Sequence, residues 1–154
     1  MATTVGIESN VVSMLQNLVE LDYDAIEAYE AAIERLQGEV ERATMAAFLD
    51  DHRRHVCELS SLLMQAGHEA PSGPDIKRVL TKGKVVLGGL VGDRAVLMAM
   101  KTNEEDTNTA YERAAGRSDV APQVRALLTC NLSDERRHGE WIANRLAALA
   151  SAAE

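Results

Sequence analysis

Residues 51–55 read Asp-His-Arg-Arg-His, and residues 134–138 read Asp-Glu-Arg-Arg-His. The two stretches lie 83 positions apart, and a second pair of similar segments, 24–30 and 106–112, lies 82 positions apart. Both segments of the second pair begin with Asp and end in Ala-Tyr-Glu. This internal repeat predicts two structurally related halves that a pseudo-two-fold axis would relate.

Glycine and proline divide the chain into four long segments in which apolar residues recur at helical spacing. Gly38 and Gly67 follow the first two segments, and glycine in that position commonly terminates a helix. Asp93 is predicted to cap the third helix. The fourth helix is predicted to start near Asp119, with Pro122 in its first turn. The predicted helices span about 9–37, 39–66, 93–115 and 119–150.

The lengths of the connections predict the topology. The first and third connections are short, so each joins an antiparallel hairpin. Residues 67–92 are long enough to run the length of a bundle, and a short helix is predicted within them at Ile76–Lys82. We therefore predict an all-α, antiparallel four-helix bundle with one long crossover between the second and third helices. It forms a single domain over residues 1–154.

Every predicted helix carries an ionisable residue on its apolar stripe, near its middle. Burying an unpaired charge is unfavourable, so buried ionisable groups are normally paired or bind a metal. Residues three positions apart lie on one helix face, so His52 and His55 can address one centre, as can Glu135 and His138. The candidate metal ligands are Asp22, His52, His55, Glu104, Glu135 and His138.

Charge and composition argue against several classes of function. The formal net charge of −8 disfavours binding to nucleic acid, which requires a basic surface. No apolar run approaches the length of a membrane span, and residues 1–4 lack the basic start of a signal peptide. Cys57 and Cys130 form no disulfide framework, which is typical of a reducing compartment. We therefore expect a cytoplasmic protein that binds metal ions and neither nucleic acid nor a membrane.

The pattern resembles the ferritin-like superfamily, in which two helices each supply one Glu and two others each supply Glu-x-x-His. Residues 135–138 match the Glu-x-x-His motif, and Glu104 matches a lone Glu. Asp22 occupies the other lone-carboxylate position. Tyr29 and Tyr111 follow these two carboxylates by seven residues, as does a tyrosine that bonds a ligand carboxylate in rubrerythrin- and bacterioferritin-type bundles. Small bacterial ferritin-like domains of unknown function look the most similar.

This resemblance implies a di-iron carboxylate centre that reacts with dioxygen or peroxide. Asp22 and Glu104 would be terminal ligands, and Glu135 would bridge the metals. His55 and His138 would supply nitrogen ligands. Two iron ions are therefore the expected cofactor, with zinc, manganese or no metal as alternatives.

The second helix departs from the family pattern, because His52 stands where the family has a glutamate that usually bridges the metals. His52 would replace that bridge, or it would contact the ligands without binding the metal. Asp51, the preceding residue, should point about 100° away from the apolar stripe. The three remaining carboxylates carry three negative charges, against four positive charges on two divalent ions. A bound anion would balance the site. A single metal held by His55, His138 and Glu135 is a second solution, and a metal-free network with three imidazolium groups is a third.

Two classes of function remain open. The first is a ferritin-like metal-binding protein, either an oxidase or peroxidase with two irons or one metal, or a metal-handling stress protein. The alternative is a metal-free scaffold or interaction protein with a polar core of histidines and carboxylates. The sequence does not decide whether any catalysis occurs. The apolar crossover segment Val79–Val91 further predicts a lid over one end of the bundle or a homodimer contact.

Overall fold

The computed structural model describes residues 3–74 and 87–152. Within these two ranges the chain forms four long α-helices and no β-strand. This confirms the predicted all-α, four-helix architecture. The helices are α1 (Val11–Arg35), α2 (Glu39–Gln65), α3 (Asp93–Ala115) and α4 (Pro122–Ser151).

The helices pack as two hairpins laid side by side. Residues 36–38 alone separate α1 from α2, and residues 116–121 separate α3 from α4, so each pair packs closely along its length. Helix α1 also contacts α3, and α2 contacts α4. The start of α1 packs with the ends of α2 and α3, whereas the end of α1 packs with their starts. Neighbouring helices are therefore antiparallel.

Two apolar clusters form the core, one towards each end of the bundle. The first includes Met14, Leu18, Leu59 and Leu128, and the second includes Met45, Leu97, Met100 and Ile142. Burial of each such side chain stabilises the fold by about 1.5–3 kcal/mol. The six predicted ligands lie between the two clusters, and every helix supplies at least one, so a polar layer crosses the middle of the bundle.

Glycine ends α2 as predicted. Gly67 has a φ of +79°, and the amide of His68 donates to the carbonyl of Leu63 at 2.9 Å. This is the hydrogen bond of a Schellman turn, in which the left-handed residue is usually glycine.

Glycine does not end α1, contrary to the prediction. The helix ends at Arg35, and Gly38 has a φ of −67° at the N-cap of α2. The glycine is needed for space, because a Cβ atom there would lie 1.9 Å from Oε2 of Glu41. The buried Glu41 carboxylate pairs with Arg145 of α4 at 2.5 Å.

The predicted aspartate cap of α3 does not form. Asp93 is the first residue of α3, and its carboxylate accepts hydrogen bonds from the amides of residues 37–38 at 2.8 and 2.9 Å. It therefore fastens the α1–α2 turn to α3. Asp119, near which the fourth helix was predicted to start, pairs with Arg117 at 2.6 Å, and α4 begins three residues later at Pro122. Proline favours that first position because its φ angle is already helical.

Residues 75–86 of the crossover lie outside the described residues, and they include the predicted helix Ile76–Lys82. At the end of the crossover, Leu87 is buried in the second cluster and Val91 is 90% exposed. The lid and the homodimer contact stay predictions. Among the helices that the structure describes, none is both long enough and apolar enough to cross a membrane.

Candidate metal centre

The six predicted ligands meet in the polar layer. Each side chain is at most 1% exposed, and together they come from all four helices. The ligand atoms form two overlapping groups, and the atoms within each group lie within 4.8 Å of one another. We call these groups the Asp22 half-site, which is Asp22, His55, His52 and Glu135, and the Glu104 half-site, which is Glu104, His138, His52 and Glu135.

The Asp22 half-site is compact. Asp22 Oδ1 lies 2.8 Å from His52 Nδ1 and 3.5 Å from His55 Nδ1. Glu135 Oε1 lies 3.2 Å from His55 Nδ1 and 3.5 Å from His52 Nδ1. Two carboxylates and two imidazoles from α1, α2 and α4 therefore face one small volume.

His52 lies between the two half-sites. Its Nδ1 faces Asp22, whereas its Nε2 lies 3.8 Å from Glu104 Oε1. Across the Glu104 half-site, His138 Nδ1 lies 3.7 Å from Glu104 Oε2. His52 thus occupies the central position at which the sequence lacks a carboxylate.

Two tyrosines hold the lone carboxylates across the pseudo-two-fold axis. The Tyr29 hydroxyl donates to Glu104 Oε1 at 2.5 Å, and the Tyr111 hydroxyl donates to Asp22 Oδ2 at 2.5 Å. Burial and the adjacent carboxylates raise the pKa of both tyrosines well above the usual value, so both remain donors. The predicted tyrosine–carboxylate bonds are confirmed.

Asp51 and Asp134 join the centre, which the sequence analysis did not foresee. Asp51 Oδ2 lies 2.9 Å from His138 Nε2, and Asp134 Oδ2 lies 3.1 Å from His55 Nε2. As expected, Asp51 leaves the apolar stripe of α2 and is absent from both groups of ligand atoms. What the sequence analysis missed is that its side chain reaches the histidine of the neighbouring α4. The signal was present in the repeat, because aspartate opens both copies of the motif.

Two arginines tie these aspartates together at the surface of the bundle. Arg54 lies 2.5 Å from Asp134 and 3.2 Å from Asp51. Arg137 lies 2.7 Å from Asp51 and 3.0 Å from Asp134. Burial would raise the pKa of both aspartates, but the hydrogen bonds from His138 and the two arginines hold the pKa of Asp51 below its usual value. The bonds from Arg137 and Arg54 lower the pKa of Asp134 to about 2. The aspartates therefore stay ionised beside the histidines.

Burial and charge shift the pKa of the three histidines in opposite directions. Burial lowers the pKa of each, but at His55 the neighbouring Asp22 and Glu135 outweigh it and raise the pKa to about 10. The charge of Glu135 and the bond to Asp22 likewise raise the pKa of His52 well above its usual value. At His138 burial prevails, aided by a cationic His52, and the pKa falls to about 4. Two imidazolium groups can therefore offset part of the carboxylate charge.

Several buried atoms of the layer make no hydrogen bond with any residue that the structure describes. Buried polar atoms nearly always have a partner, so a group of them facing one another is unusual. Imidazole nitrogen and carboxylate oxygen are donors that suit iron, manganese and zinc. These buried residues could therefore hold a metal ion. The atoms are His52 Nε2, His55 Nδ1, His138 Nδ1, Glu104 Oε2, Glu135 Oε1 and Glu135 Oε2.

The sequence family described as "Domain of unknown function (DUF2383)" matches residues 10–117. The chain belongs to this family. The match spans α1, α2 and α3 and includes Asp22, His52, His55 and Glu104. Comparison with curated proteins gives no match.

The two half-sites of this DUF2383 protein differ in one further pair of side chains. Phe48 stacks on His138 in the Glu104 half-site, with ring centroids 4.1 Å apart and planes 30° apart. The residue 83 positions later, which the repeat relates to Phe48, is Asn131. Asn131 is fully buried on α4, one turn before Glu135. The Glu104 half-site is therefore flanked by the aromatic ring of Phe48, and the Asp22 half-site by the amide of Asn131.

Proposed function

We propose that this DUF2383 protein is a ferritin-like metal-binding protein that holds two iron ions in the polar layer. The observation that carries the proposal is the group of buried nitrogen and oxygen atoms that face one another without hydrogen bonds. Leaving a buried polar atom unsatisfied costs about 1–3 kcal/mol, and a bound cation would remove that cost for several atoms together.

Each half-site would hold one ion. Asp22 and His55 would bind the first ion, and Glu104 and His138 would bind the second. Glu135 belongs to both groups of ligand atoms and would supply an oxygen to each ion. His52 has one ring nitrogen towards each half-site. As a neutral imidazole it would bind one of the two ions, in the place of the bridging glutamate.

The chain supplies an enclosed and prearranged environment for such ions. Iron bound by these ligands would exchange electrons with an oxidant such as dioxygen or peroxide. The apolar clusters on both sides of the layer exclude bulk water. The hydroxyls of Tyr29 and Tyr111 fix the carboxylates, and Asp51 and Asp134 fix the histidines. We propose an oxidase or peroxidase activity for this site, or metal handling without turnover.

Metal analysis tests this proposal. The protein would be purified without a histidine tag, treated with a chelator, reconstituted anaerobically with ferrous iron and desalted. We expect about two irons per chain, as in dimetal carboxylate bundles, and a higher melting temperature than that of the metal-free protein. Parallel reconstitution with manganese and zinc would show which metal binds most tightly.

A matched pair of variants locates the binding. Glu135→Gln removes a ligand that is fully buried, whereas Glu105→Gln removes a carboxylate that is 63% exposed one residue from Glu104. The first variant should lose bound iron and the rise in melting temperature. The second should retain both. Equal iron content in the two variants would place the metal outside the layer and contradict the proposal.

A metal-free polar core is the second candidate function, because the histidines can offset most of the carboxylate charge without a metal. His52 bonds Asp22 at 2.8 Å, and the raised pKa values of His52 and His55 allow two imidazolium groups to offset two carboxylates. Under this alternative the layer specifies helix register in a scaffold or interaction protein. Reconstituted protein with no iron, manganese or zinc and an unchanged melting temperature would favour it over the metal-binding proposal.

A further inference from the structure

The repeat makes Phe48 and Asn131 equivalent, yet they create different surroundings. Phe48 is 3% exposed and fills the space beside the Glu104 half-site. It stacks on His138 and also meets the Tyr29 ring edge-on, with centroids 6.3 Å apart. Trp141 packs against its other side at 5.9 Å. Aromatic side chains therefore close this half-site.

Asn131 presents the opposite environment to the Asp22 half-site. Its side chain is fully buried, and neither its nitrogen nor its oxygen makes a hydrogen bond of good geometry within residues 3–74 and 87–152. A polar neighbour of the amide is the hydroxyl of Tyr111, and the hydrogen bond between them opposes the rise in the pKa of that hydroxyl. Tyr111 in turn donates to Asp22. A buried amide whose hydrogen-bonding capacity is largely unused is unfavourable unless a ligand uses it.

The first carboxylate is also shorter than its counterpart. The repeat relates Asp22 to Glu104, and aspartate has one methylene fewer. The half-site with the shorter carboxylate is therefore also the one beside the buried amide. The amide gives that half-site a hydrogen-bond donor for a small additional ligand.

The charges of the site predict that this additional ligand is negatively charged. Asp22, Glu104 and Glu135 supply three negative charges, and two divalent ions carry four positive charges. Buried charge is tolerated only when it is balanced. If His52 binds as a neutral imidazole, one further negative charge is needed.

We propose that a small monoanion with an oxygen or nitrogen donor, of the class of hydroxide, formate or azide, binds in the Asp22 half-site beside Asn131. The Asn131 amide nitrogen donates a hydrogen bond to the anion. This inference rests on the proposed metal function. It assigns the exogenous ligand to one half-site and excludes it from the half-site that Phe48 closes.

Azide titration of the iron-loaded protein tests the assignment, with iron content and the azide dissociation constant both measured for every protein. Asn131→Leu replaces the amide by an apolar side chain of similar size. Phe48→Leu places the same residue at the position that the repeat relates to Asn131. We expect Asn131→Leu to weaken azide binding at least tenfold, as expected for the loss of one hydrogen bond to a charged ligand. Phe48→Leu should change azide affinity much less, and both variants should keep the wild-type iron content.

A metal-free readout separates a ligand-binding amide from a structural one. If no residue of the chain uses the amide, the metal-free Asn131→Leu protein should melt at the same temperature as the wild type or higher. A large fall in melting temperature would show that Asn131 supports the fold, and would overturn its assignment as a ligand donor. Asn131→Asp provides a second variant, which should keep iron and lose azide binding because it supplies the missing charge itself.

The outcomes distinguish the two proposals. Normal iron content with unchanged azide affinity in Asn131→Leu would overturn this inference and leave the metal site intact. Equal weakening in Asn131→Leu and Phe48→Leu, or an iron-loaded wild type that binds no azide, would overturn it as well. A wild type that binds no metal after reconstitution would overturn the proposed function and this inference together.

Discussion

Nε2 of His138 on α4 lies 2.9 Å from Oδ2 of Asp51 on α2. The carboxylate therefore fixes a proton on Nε2 and leaves Nδ1, which faces Glu104, as the ring nitrogen with a free lone pair. The same arrangement recurs at His55, where Asp134 meets Nε2. Carboxylates placed behind a histidine in this way orient it towards a metal and raise its basicity.

The first prediction concerns these two aspartates. Asp51→Asn and Asp134→Asn should each lower the affinity for iron by about 10- to 100-fold, the usual effect of losing such a partner. Competition with a chelator of known affinity measures the change. Asp50→Asn is the control, because Asp50 adjoins Asp51 and is 75% exposed. If all three variants bind iron equally well, the aspartates do not orient metal ligands.

The second prediction concerns the tyrosines in the metal-free protein. Tyr29→Phe removes the hydrogen bond to Glu104 Oε1, whose next contact among the described residues is His52 Nε2 at 3.8 Å. Tyr111→Phe removes the hydrogen bond to Asp22, but Asp22 keeps its 2.8 Å bond to His52. Each change should lower the free energy of unfolding by about 1–3 kcal/mol, with the larger loss in Tyr29→Phe. Urea denaturation measures the difference.

Tyr23→Phe serves as the control for the tyrosine variants, since Tyr23 is only partly buried beside the first apolar cluster. Its free energy of unfolding should change little. Equal stability in all three variants would mean that neither buried hydroxyl supports a charged carboxylate.

The third prediction restores the missing carboxylate. His52→Glu gives the layer four negative charges, which balance two divalent ions. The metal-free variant should unfold at a lower temperature than the wild type, because carboxylate repulsion increases and the His52–Asp22 bond is lost. With iron bound, the variant should show a larger rise in melting temperature than the wild type. An equal or smaller rise would contradict the role of His52 as a substitute for the bridge.

The fourth prediction concerns the α1–α2 turn. Gly38→Ala would place a Cβ atom 1.9 Å from the buried Glu41 carboxylate, so that side chain and its pairing with Arg145 must shift. Stability should fall by about 1–3 kcal/mol, as for other overpacked sites. Gly73→Ala is the control, because a Cβ atom there meets nothing within 4 Å. Equal melting temperatures for the two variants would show that the turn adapts freely.

The buried layer could be predicted because it depends on periodicity alone. Helical spacing placed Asp22, Glu104 and Glu135 on apolar stripes, and the repeat put them at matching heights. An antiparallel hairpin then necessarily brings such residues together. The tyrosine–carboxylate bonds were predictable from the repeat, because two antiparallel halves place the tyrosine of each half beside the carboxylate of the other.

The side chains around the layer could not be predicted in this way. Projection on one helix put Asp51 about 100° from the stripe, but its partner His138 belongs to α4, whose position beside α2 is a property of the assembled bundle. The role of Gly38 could not be predicted either, because it depends on the position of the Glu41 side chain rather than on the backbone conformation of the glycine. Helical spacing puts Asn131 on the apolar stripe of α4, one turn before Glu135, but only the structure shows that its amide makes no hydrogen bond of good geometry among the described residues.

The most direct test is a crystal structure of the iron-loaded protein with anomalous scattering recorded at the iron absorption edge. We predict two iron peaks in the buried layer, one between Asp22 and His55 and one between Glu104 and His138, with Glu135 reaching both. Peaks only at surface carboxylates, or an empty layer in crystals grown from iron-loaded protein, would contradict the account.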